Sequence, residues 1–427
     1  MLNISNETQK MKFKKFTYLL MFSIIITPMI SFTQTNKYAE DFLEFWNIVN
    51  NNYAYFGKKN TDWEKVKTFY LPAAENATNR NELITVFENA LEELYDDHFS
   101  LNTNLKSSTR LVPSGLDIWA EWIEGKAVIT EIREGFSADN AGLKIGMEII
   151  SINEIPTEQA VKKRSGKCIS GNDPEAFNYA LRMLLAGTYL KQREITVNHN
   201  GLIKIYKPDE GTGNLTDNYQ YGSLLDFSIL KNNTGYIKIN NSLGETDLIQ
   251  LFDTALFQLK DTKALIIDLR ETPGGGNSIV ARGILSRFIT NELPYQKHVL
   301  PEDEKLFNIK RSWLELVSPR GPFMYDKPLV ILVNHWTGSM GEGIAIGFSA
   351  LTRAKITGTG MGGLNGAINR FQTTNTKIPY SFPTEQIFHI NGTPRENFIP
   401  DKLIDLTDPD YINIEDPILY EGMNVLN

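Results

Sequence analysis

Two short segments of the chain combine small residues with groups that could carry out acyl transfer. Residues 268–276 read Asp-Leu-Arg-Glu-Thr-Pro-Gly-Gly-Gly, and residues 334–343 read Asn-His-Trp-Thr-Gly-Ser-Met-Gly-Glu-Gly. Three successive glycines let a backbone approach a ligand closely and turn its N–H groups outward. Ser339 has glycines close on both sides and could present its hydroxyl with little neighbouring bulk. Together the segments predict a nucleophile that faces an oxyanion hole.

Each segment also has a plainer interpretation. A triple glycine after a strand could be a phosphate loop or a tight turn, although the Gly-x-x-x-x-Gly-Lys pattern is absent. A serine that opens a helix is more often an N-cap than a nucleophile. The two segments taken singly therefore leave the chemistry open.

The histidines are the candidate bases, since an unperturbed imidazole pKa near 6.5 suits proton transfer at neutral pH. His98 follows Asp96 and Asp97 and could be a base or a helix-terminal histidine paired with either carboxylate. His335 lies four residues before Ser339, so its loop would have to fold back for the ring to reach the hydroxyl. We expect His335 to line the pocket instead. The remaining histidines show no motif: His199, His298 and His389.

The elements that must position these groups alternate between strands and helices. Residues 264–269 and 329–333 are apolar runs of strand length, as expected for strands buried on both faces. Helical segments are predicted at 247–259, 278–289 and 341–350. This pattern predicts a layered α/β domain with its reactive groups at the C-terminal ends of strands.

Asp268 and Arg270 could be mistaken for catalytic charges. Asp268 lies near the end of a predicted buried strand, where an unpaired carboxylate would be costly. We expect the two residues to pair with each other and to brace the glycine turn.

The rest of the chain has two regions with different hydrophobic patterns. From residue 38 to about 96 the apolar residues recur at helical spacing, which predicts about three helices. From about 114 to 206 short alternating strands predominate. The predicted organisation is a helical domain at 34–112, a β-rich domain at 113–206 and an α/β core domain at 215–427.

The first 33 residues have the features of a secretory signal peptide. Four lysines precede a charge-free apolar run at 16–26, and small residues stand at −3 and −1 of a cut before Gln34. The run is too short for a spanning helix, which needs about 20 residues. We expect an exported periplasmic or extracellular protein with no stable membrane span. Its mature charge would be −11, because the leader carries +3 and the whole chain of 427 residues carries −8.

Composition excludes several classes of protein. Cys168 is the only cysteine, so neither an internal disulfide framework nor a multi-cysteine metal site can form. The acidic balance argues against a nucleic-acid partner, which would need a basic face. A large globular enzyme or binding protein remains.

Residues 137–153 resemble the signature of a PDZ domain, with a short helix ending at Gly142, a turn at Gly146 and a following strand. PDZ domains bind extended C-terminal peptides by adding them to a sheet edge. The resemblance places the carboxylate-binding loop near residues 114–117. Asp117 departs from that pattern, because its charge would repel a carboxylate.

The two chemistry-bearing segments, in their order, resemble the C-terminal processing, or tail-specific, serine peptidases and the related tricorn core. That family carries Asp-Leu-Arg-x-Asn-x-Gly-Gly after one strand, matched here at 268–275 with threonine in the asparagine place. Its Ser-Ala-Ser-Glu-like motif is matched at 339–342, and further matches stand at 234–239 and 399–401. The resemblance covers about three quarters of the mature chain. It implies a multidomain α+β protein with an α/β core of the ClpP/crotonase type.

The family's functional residues carry over position by position. The resemblance implies Ser339 as the nucleophile, with the oxyanion held by the N–H of Met340 and one from Gly274 or Gly275. The tail-specific branch pairs its serine with a lysine in a glycine-rich loop, but residues 360–366 contain no lysine. Two lysines stand nearby in sequence outside that loop: Lys355 and Lys377.

The tricorn-like branch uses a histidine from the N-terminal part instead. His98 resembles the histidine of that branch's Leu-x-Asp-x-His motif, which favours His98 as the base. Glu396 is the candidate for the acid that orients it, and Ser100 is a further polar candidate.

The resemblance implies an exported serine endopeptidase that acts on peptides or unfolded proteins and needs no metal or organic cofactor. The alternative is a peptide-binding protein on the same scaffold that has lost turnover. Its motivation is the missing lysine, Met340-Gly341 in place of Ala-Ser, and the threonine at 272.

Overall fold

Three helices at the start of the described chain pack their apolar faces together. The structure, a computed structural model, describes residues 36–210, 221–411 and 413–426. Asparagine or aspartate caps each helix by accepting backbone N–H groups of its first turn. The prediction of three helices is confirmed: α1 Lys37–Asn52, α2 Trp63–Glu75 and α3 Arg80–Glu92.

The next region is a sheet with three helices. Its strand order is β1-β2-β3-β5-β6, with β4 paired to β3, and all of its pairs are antiparallel. The strand β1 is an edge strand, and α6 packs beside it. The elements are β1 Ile118–Ile123, β2 Lys126–Ile132, α4 Ser137–Asn140, β3 Glu148–Ile152, β4 Ile155–Pro156, α5 Thr157–Arg164, α6 Pro174–Ala186, β5 Ile195–His199 and β6 Leu202–Tyr206.

The largest sheet forms the centre of the remaining chain. It comprises β7 Leu225–Leu230, β8 Thr234–Ile239, β9 Ala264–Asp268, β12 Leu329–Val333, β13 Lys355–Gly358 and β16 Lys402–Leu403, in the order β16-β13-β12-β9-β8-β7. All neighbours are parallel except β7, which is antiparallel to β8. The strands β9 and β12 are buried throughout. The prediction that these two strands are buried on both faces is therefore confirmed.

Helices cover both faces of this sheet. On one face α7 Asp247–Gln258, α8 Ser278–Leu285 and α10 Met340–Ala350 pack into the main core. On the other face α11 Pro417–Val425 packs on β9 and β12 through a smaller apolar cluster. The C-terminal ends of β9 and β12 are adjacent, so the turns after them meet at one edge.

The C-terminal half of the chain also forms a second antiparallel sheet, which was not predicted from the sequence. It has the order β11-β10-β15-β14 and comprises β10 Leu293–Leu300, β11 Arg311–Val317, β14 Ala367–Gln372 and β15 Pro379–Phe388, with α9 Pro301–Phe307 between β10 and β11. Tyr380 and Phe382 of β15 pack into the core of the three N-terminal helices. This sheet therefore joins the helical region to the α/β core.

Residues 36–427 form one compact unit. The predicted signal peptide, residues 1–33, lies outside the described residues. Within the described parts of the chain, no helix is long and apolar enough to cross a membrane.

Candidate active site

Ser339 lies where the turn after β12 enters α10. Its φ of 50° and ψ of −107° place it outside the ordinary regions for an L-residue, and such conformations are concentrated at functional sites. The adjoining glycines are sterically required. A Cβ at Gly338 would lie 2.9 Å from the carbonyl oxygen of Pro273, and one at Gly341 would collide with Thr272 Oγ1. The sharp turn thus presents the serine at the start of the helix.

The glycine turn after β9 lies directly against this serine. Thr272 and Thr337 form a parallel bridge between the two turns. Gly275 has a φ of 63°, and a Cβ there would lie 2.5 Å from Ser339 Cβ and 3.2 Å from the backbone nitrogen of Met340. In this structure the N–H of Gly274 donates to Asn241 Oδ1 at 2.8 Å, and that of Gly275 donates to the Thr272 carbonyl at 3.1 Å.

Two residues that differ from the family motif, Thr272 and Gly341, lie against each other. Threonine occupies position 272, where its Oγ1 donates to the Leu269 carbonyl at 2.7 Å and fills the space beside Gly341. A larger residue at 341 would have no room. The two changes are therefore complementary.

His98 reaches Ser339 across the boundary between the helical region and the core. Its Nε2 lies 3.1 Å from Ser339 Oγ. Its Nδ1 lies 2.5 Å from the backbone carbonyl oxygen of Asn365. Because a carbonyl can only accept, Nδ1 must carry the proton, which leaves Nε2 as the acceptor for the serine hydroxyl.

The environment of His98 favours the neutral imidazole. Burial and, to a smaller extent, the charge of Arg395 lower the pKa of His98 to about 4, against the opposite effects of the Asn365 carbonyl and Asp96. A neutral ring is the form that a general base requires.

Asp96 fixes both the histidine loop and the asparagine that meets it. Its Oδ1 accepts the backbone N–H of His98 at 2.9 Å. Its Oδ2 accepts from Tyr53 Oη at 2.7 Å and from Asn365 Nδ2 at 2.9 Å. The sequence predicts Asp96 only as a pairing partner for the imidazole, and it carries no signal that points to Asn365 or Tyr53.

Glu396 does not occupy the position predicted for it. Its Oε1 pairs with Lys58 Nζ at 2.5 Å, and the Nδ1 of His98 is bound by the Asn365 carbonyl instead. The prediction that Glu396 orients the imidazole is thus corrected, because Lys58 holds the carboxylate.

Ser100 also makes other contacts. Its backbone pairs with that of Ser381 on β15, with N–O distances of 3.1 and 2.7 Å. Its hydroxyl accepts the N–H of Asn102 at 3.1 Å. Ser100 therefore anchors the histidine loop to β15.

The competing bases lie elsewhere. His335 Nδ1 is 2.6 Å from Glu131 Oε2, and its ring stacks on Trp119 at a centroid distance of 4.3 Å. Lys355 begins β13, at the sheet edge opposite Ser339, and pairs with Asp401 at 3.2 Å. Lys377 is exposed in the turn between β14 and β15.

Glu342, which the sequence analysis left without a role, joins the nucleophile to the neighbouring loop. It is fully buried. Its Oε2 accepts the backbone N–H of Ser339 at 2.7 Å, and its Oε1 accepts that of Gly363 at 3.0 Å. Burial raises the pKa of Glu342 to about 7, although the charge of Arg395 and the two N–H groups oppose the shift. The Ser-x-x-Glu spacing of a capping box was the signal that could have identified it.

Asp268 and Arg270 pair as expected. Arg270 Nη2 lies 2.7 Å from Asp268 Oδ2, and Arg270 Nη1 lies 2.7 Å from Asp416 Oδ1 at the start of α11. The predicted pairing of the two residues is confirmed, whereas the second partner of Arg270 is in α11 and not in the glycine turn.

The loop that resembles a PDZ carboxylate-binding loop is filled from within the protein. The N–H groups of Gly115 and Leu116 donate to the carbonyls of Leu111 and Pro113 at 2.5 and 3.1 Å. Both carboxylate oxygens of Asp117 accept from Arg193, at 2.5 and 3.1 Å. Asp117 is therefore a buried structural charge.

Two regions of the chain match known protein families. Residues 233–403 match peptidase family S41, and residues 34–92 match the tricorn protease C1 domain. A carboxyl-terminal-processing protease of Synechocystis is 25% identical over 339 residues, which is 77% of this chain and 71% of that protein.

Two solved structures share the fold. Mature CPAF in complex with lactacystin aligns with a TM-score of 0.58 and 16% identity, over 91% of this chain and 96% of its own. The photosystem II D1 C-terminal processing protease aligns with a TM-score of 0.52 and 17% identity, over 86% and 93%. The mixed α/β architecture with N-terminal helices is thus that of S41 protease structures. The match to peptidase family S41 over residues 233–403 and the similarity to the carboxyl-terminal-processing protease thus indicate a serine peptidase.

Proposed function

We propose that this peptidase is an endopeptidase that uses Ser339 as its nucleophile and His98 as its base. The observation that carries the proposal is the pair of contacts on the His98 ring. Nε2 is 3.1 Å from Ser339 Oγ, while the opposite nitrogen is held by a backbone carbonyl. A nucleophile and base within hydrogen-bond reach, with the base oriented by a third group, are the requirements of this chemistry.

The proposed reaction follows from these positions. Ser339 Oγ attacks the scissile carbonyl carbon as His98 Nε2 takes the hydroxyl proton. The oxyanion accepts from the N–H of Met340. The N–H groups of Gly274 and Gly275, expected from the sequence as further donors, are bound to Asn241 Oδ1 and to the Thr272 carbonyl and would join only if those bonds open. His98 then gives the proton to the leaving amine, and water attacks the acyl-enzyme by the same route. A positioned general base contributes about 10²- to 10⁴-fold to the rate, and one oxyanion donor contributes about 10²- to 10³-fold.

The proposed substrates are peptides or unfolded protein segments, including C-terminal regions. The family match supports a peptide or protein substrate. The Synechocystis relative is named a carboxyl-terminal-processing protease, which supports chain ends as one class of substrate.

The test is the substitution Ser339→Ala. We expect it to abolish both peptide hydrolysis and labelling by a fluorophosphonate probe, with the circular dichroism spectrum unchanged. Ser349→Ala, in the same helix, is the matched control and should retain both activities. Wild-type activity that survives in Ser339→Ala would refute the assignment. Peptide binding by a wild-type protein that is neither labelled nor able to cleave would favour the binding-protein alternative.

The proposal includes export. The lysine-rich start, the apolar run and the small residues before Gln34 support removal of a leader. N-terminal sequencing of protein recovered from the periplasm or medium should begin at Gln34. Recovery in the cytoplasm with residues 1–33 attached would contradict it.

A further inference from the structure

The backbone carbonyl that holds His98 belongs to a loop that one buried arginine secures. Asn365 supplies the oxygen at 2.5 Å from His98 Nδ1. Arg395 Nη2 donates to the carbonyls on either side of it, at 2.8 Å to Leu364 and 2.7 Å to Gly366. A single nitrogen atom thus binds the carbonyls of the residues before and after Asn365.

The burial of Arg395 makes this contact strong. Its side chain is 3% exposed, and hydrogen bonds from a charged donor in a buried site are about twice as strong as neutral ones. The loop is also conformationally demanding. Gly366 has a φ of 47°, and a Cβ there would collide with the Glu385 carbonyl. A loop of this kind needs external contacts to keep one conformation.

Glu342 links the same arginine to the nucleophile. Its Oε2 lies 3.9 Å from Arg395 Nε and accepts the Ser339 N–H at 2.7 Å. Its Oε1 accepts the N–H of Gly363 in the loop. The arginine and the carboxylate therefore hold the serine backbone and the asparagine loop in one arrangement.

We propose that Arg395 is a positioning residue for the general base: it holds the Leu364 and Gly366 carbonyls so that the Asn365 carbonyl meets His98 Nδ1. This inference rests on the proposed catalytic role of His98. The Asn365 carbonyl occupies the position expected of an orienting acid, and Arg395 acts on the ring through it. Arg395 also puts a positive charge near the ring.

The charge of Arg395 makes it possible to test whether this residue positions the base or only stabilises the fold. The charged side chains that act on the His98 ring are Arg395, which disfavours the imidazolium, and Asp96, which favours it. Tyr53 and Asn365 bind Asp96 and fix its distance from the ring. Removal of the Arg395 charge should raise the pKa of His98. Loosened packing that readmits water would raise this pKa too, so Arg395→Lys, which disturbs the packing but keeps the charge, distinguishes the two causes.

The experiment compares Arg395→Met with Arg395→Lys. Methionine keeps much of the volume but removes the charge and the donors. We expect kcat to fall by about 10- to 100-fold, the effect of a small misplacement of a catalytic group, with KM changed far less. The lysine variant keeps the charge, so the pKa of His98 should stay near its wild-type value while kcat recovers only in part.

Histidine NMR provides a readout that does not depend on turnover. The protein has five histidines, and His98→Gln identifies the resonance of His98. In Arg395→Met this resonance should titrate at higher pH than in the wild type. Arg353→Met is the matched control, because Arg353 also donates to backbone carbonyls, those of Phe288 and Tyr325. It should leave the His98 titration unchanged.

A kcat within about twofold of the wild type in Arg395→Met would overturn the inference, as would an unchanged His98 titration in a folded Arg395→Met protein. If instead the wild type neither hydrolyses peptides nor reacts with a fluorophosphonate, the proposed function fails. The NMR comparison then still decides whether Arg395 controls the histidine.

Discussion

The imidazole Nε2 of His98 lies 3.1 Å from the hydroxyl of Ser339, although the two residues are 241 positions apart in the chain. His98 follows the helical region, and Ser339 begins a helix of the α/β core. The backbone pairing of Ser100 with Ser381 and the packing of β15 on the N-terminal helices hold these regions together. The contact between Ser339 and His98 is therefore a tertiary feature that neither region could form alone.

Substitution of the proposed base should have a much larger effect than substitution of either candidate lysine. His98→Ala leaves the Ser339 hydroxyl without an acceptor for its proton, so kcat/KM should fall by about 10²- to 10⁴-fold. Lys355→Ala and Lys377→Ala should stay within about twofold, because Lys355 pairs with Asp401 and Lys377 is exposed. Steady-state kinetics on one peptide measures all three variants.

Lys355→Ala and Lys377→Ala also serve as controls, because they show whether an ordinary substitution at the surface lowers the activity. Loss of activity in a lysine variant alone, with His98→Ala active, would transfer the mechanism to a serine–lysine pair.

Glu396→Gln should change kcat only slightly, by less than about threefold. The Glu396 carboxylate pairs with Lys58, and the histidine nitrogen that an orienting acid would bind is occupied by the Asn365 carbonyl. Lys58→Ala is the matched variant, and its kcat should change as little as that of Glu396→Gln. A fall of 100-fold or more in Glu396→Gln, with Lys58→Ala near wild type, would restore the glutamate to a catalytic role.

Asp96→Asn should lower kcat by about tenfold or more while the protein stays folded. The substitution places an amide where Asp96 now accepts hydrogen bonds from Tyr53, Asn365 and the His98 backbone. An amide can accept with only one of its two ends, so one donor loses its partner. The measurement is kcat beside the thermal midpoint, and a drop in midpoint without a drop in kcat would contradict the prediction.

The rate should fall as the pH drops through about 7. The pKa of His98 is lowered to about 4, so His98 stays neutral at pH values well above that. The pKa of Glu342 is raised to about 7, so this carboxylate is protonated before His98 as the pH falls. Its hydrogen bonds from the Ser339 and Gly363 N–H groups are then weakened. The acid limb of kcat/KM should therefore report Glu342.

Glu342→Gln should lower kcat/KM and remove the titration near pH 7. Glu93→Gln is the control. Glu93 is a buried glutamate away from Ser339 that accepts the backbone N–H groups of Lys167 and Cys168, so its substitution should leave the acid limb of the pH profile unchanged. The same pKa shift has a consequence for stability. A raised folded-state pKa favours folding below the unfolded value, so the contribution of Glu342 to the unfolding free energy should fall as the pH rises from about 4.5 to 7. A limb near pH 7 that persists in Glu342→Gln would refute the assignment.

The turns that carry the chemistry could be predicted from the sequence because their physical signals are local. Apolar runs identify β9 and β12, and parallel strands end at the same edge, so Gly275 and Ser339 had to be close. The position of His98 came from a resemblance, since nothing local determines which distant histidine reaches a serine.

The parts of the site that could not be predicted depend on backbone atoms and on distant partners, which the residue types in the sequence do not reveal. The acceptor for His98 is a backbone carbonyl, which any residue at position 365 would supply. Glu396 stood at a plausible position, but Lys58, 338 positions away, determines where its carboxylate lies. The second sheet was missed because β11 is largely exposed and its burial does not alternate.

Cleavage should not depend on a free carboxylate at the end of the substrate. A PDZ-like receptor would bind that carboxylate at the loop before β1, but the N–H groups of Gly115 and Leu116 are bound internally, and Asp117 pairs with Arg193 in the interior. Trp119 of the edge strand β1 is also engaged within the protein, since its ring contacts both the ring of His335 and the guanidinium of Arg182. Two peptides that differ only in a free or amidated C-terminus should therefore give kcat/KM values within about twofold. A preference of tenfold or more for the free acid, abolished by Arg193→Met in a folded protein, would show instead that the loop opens to receive a carboxylate.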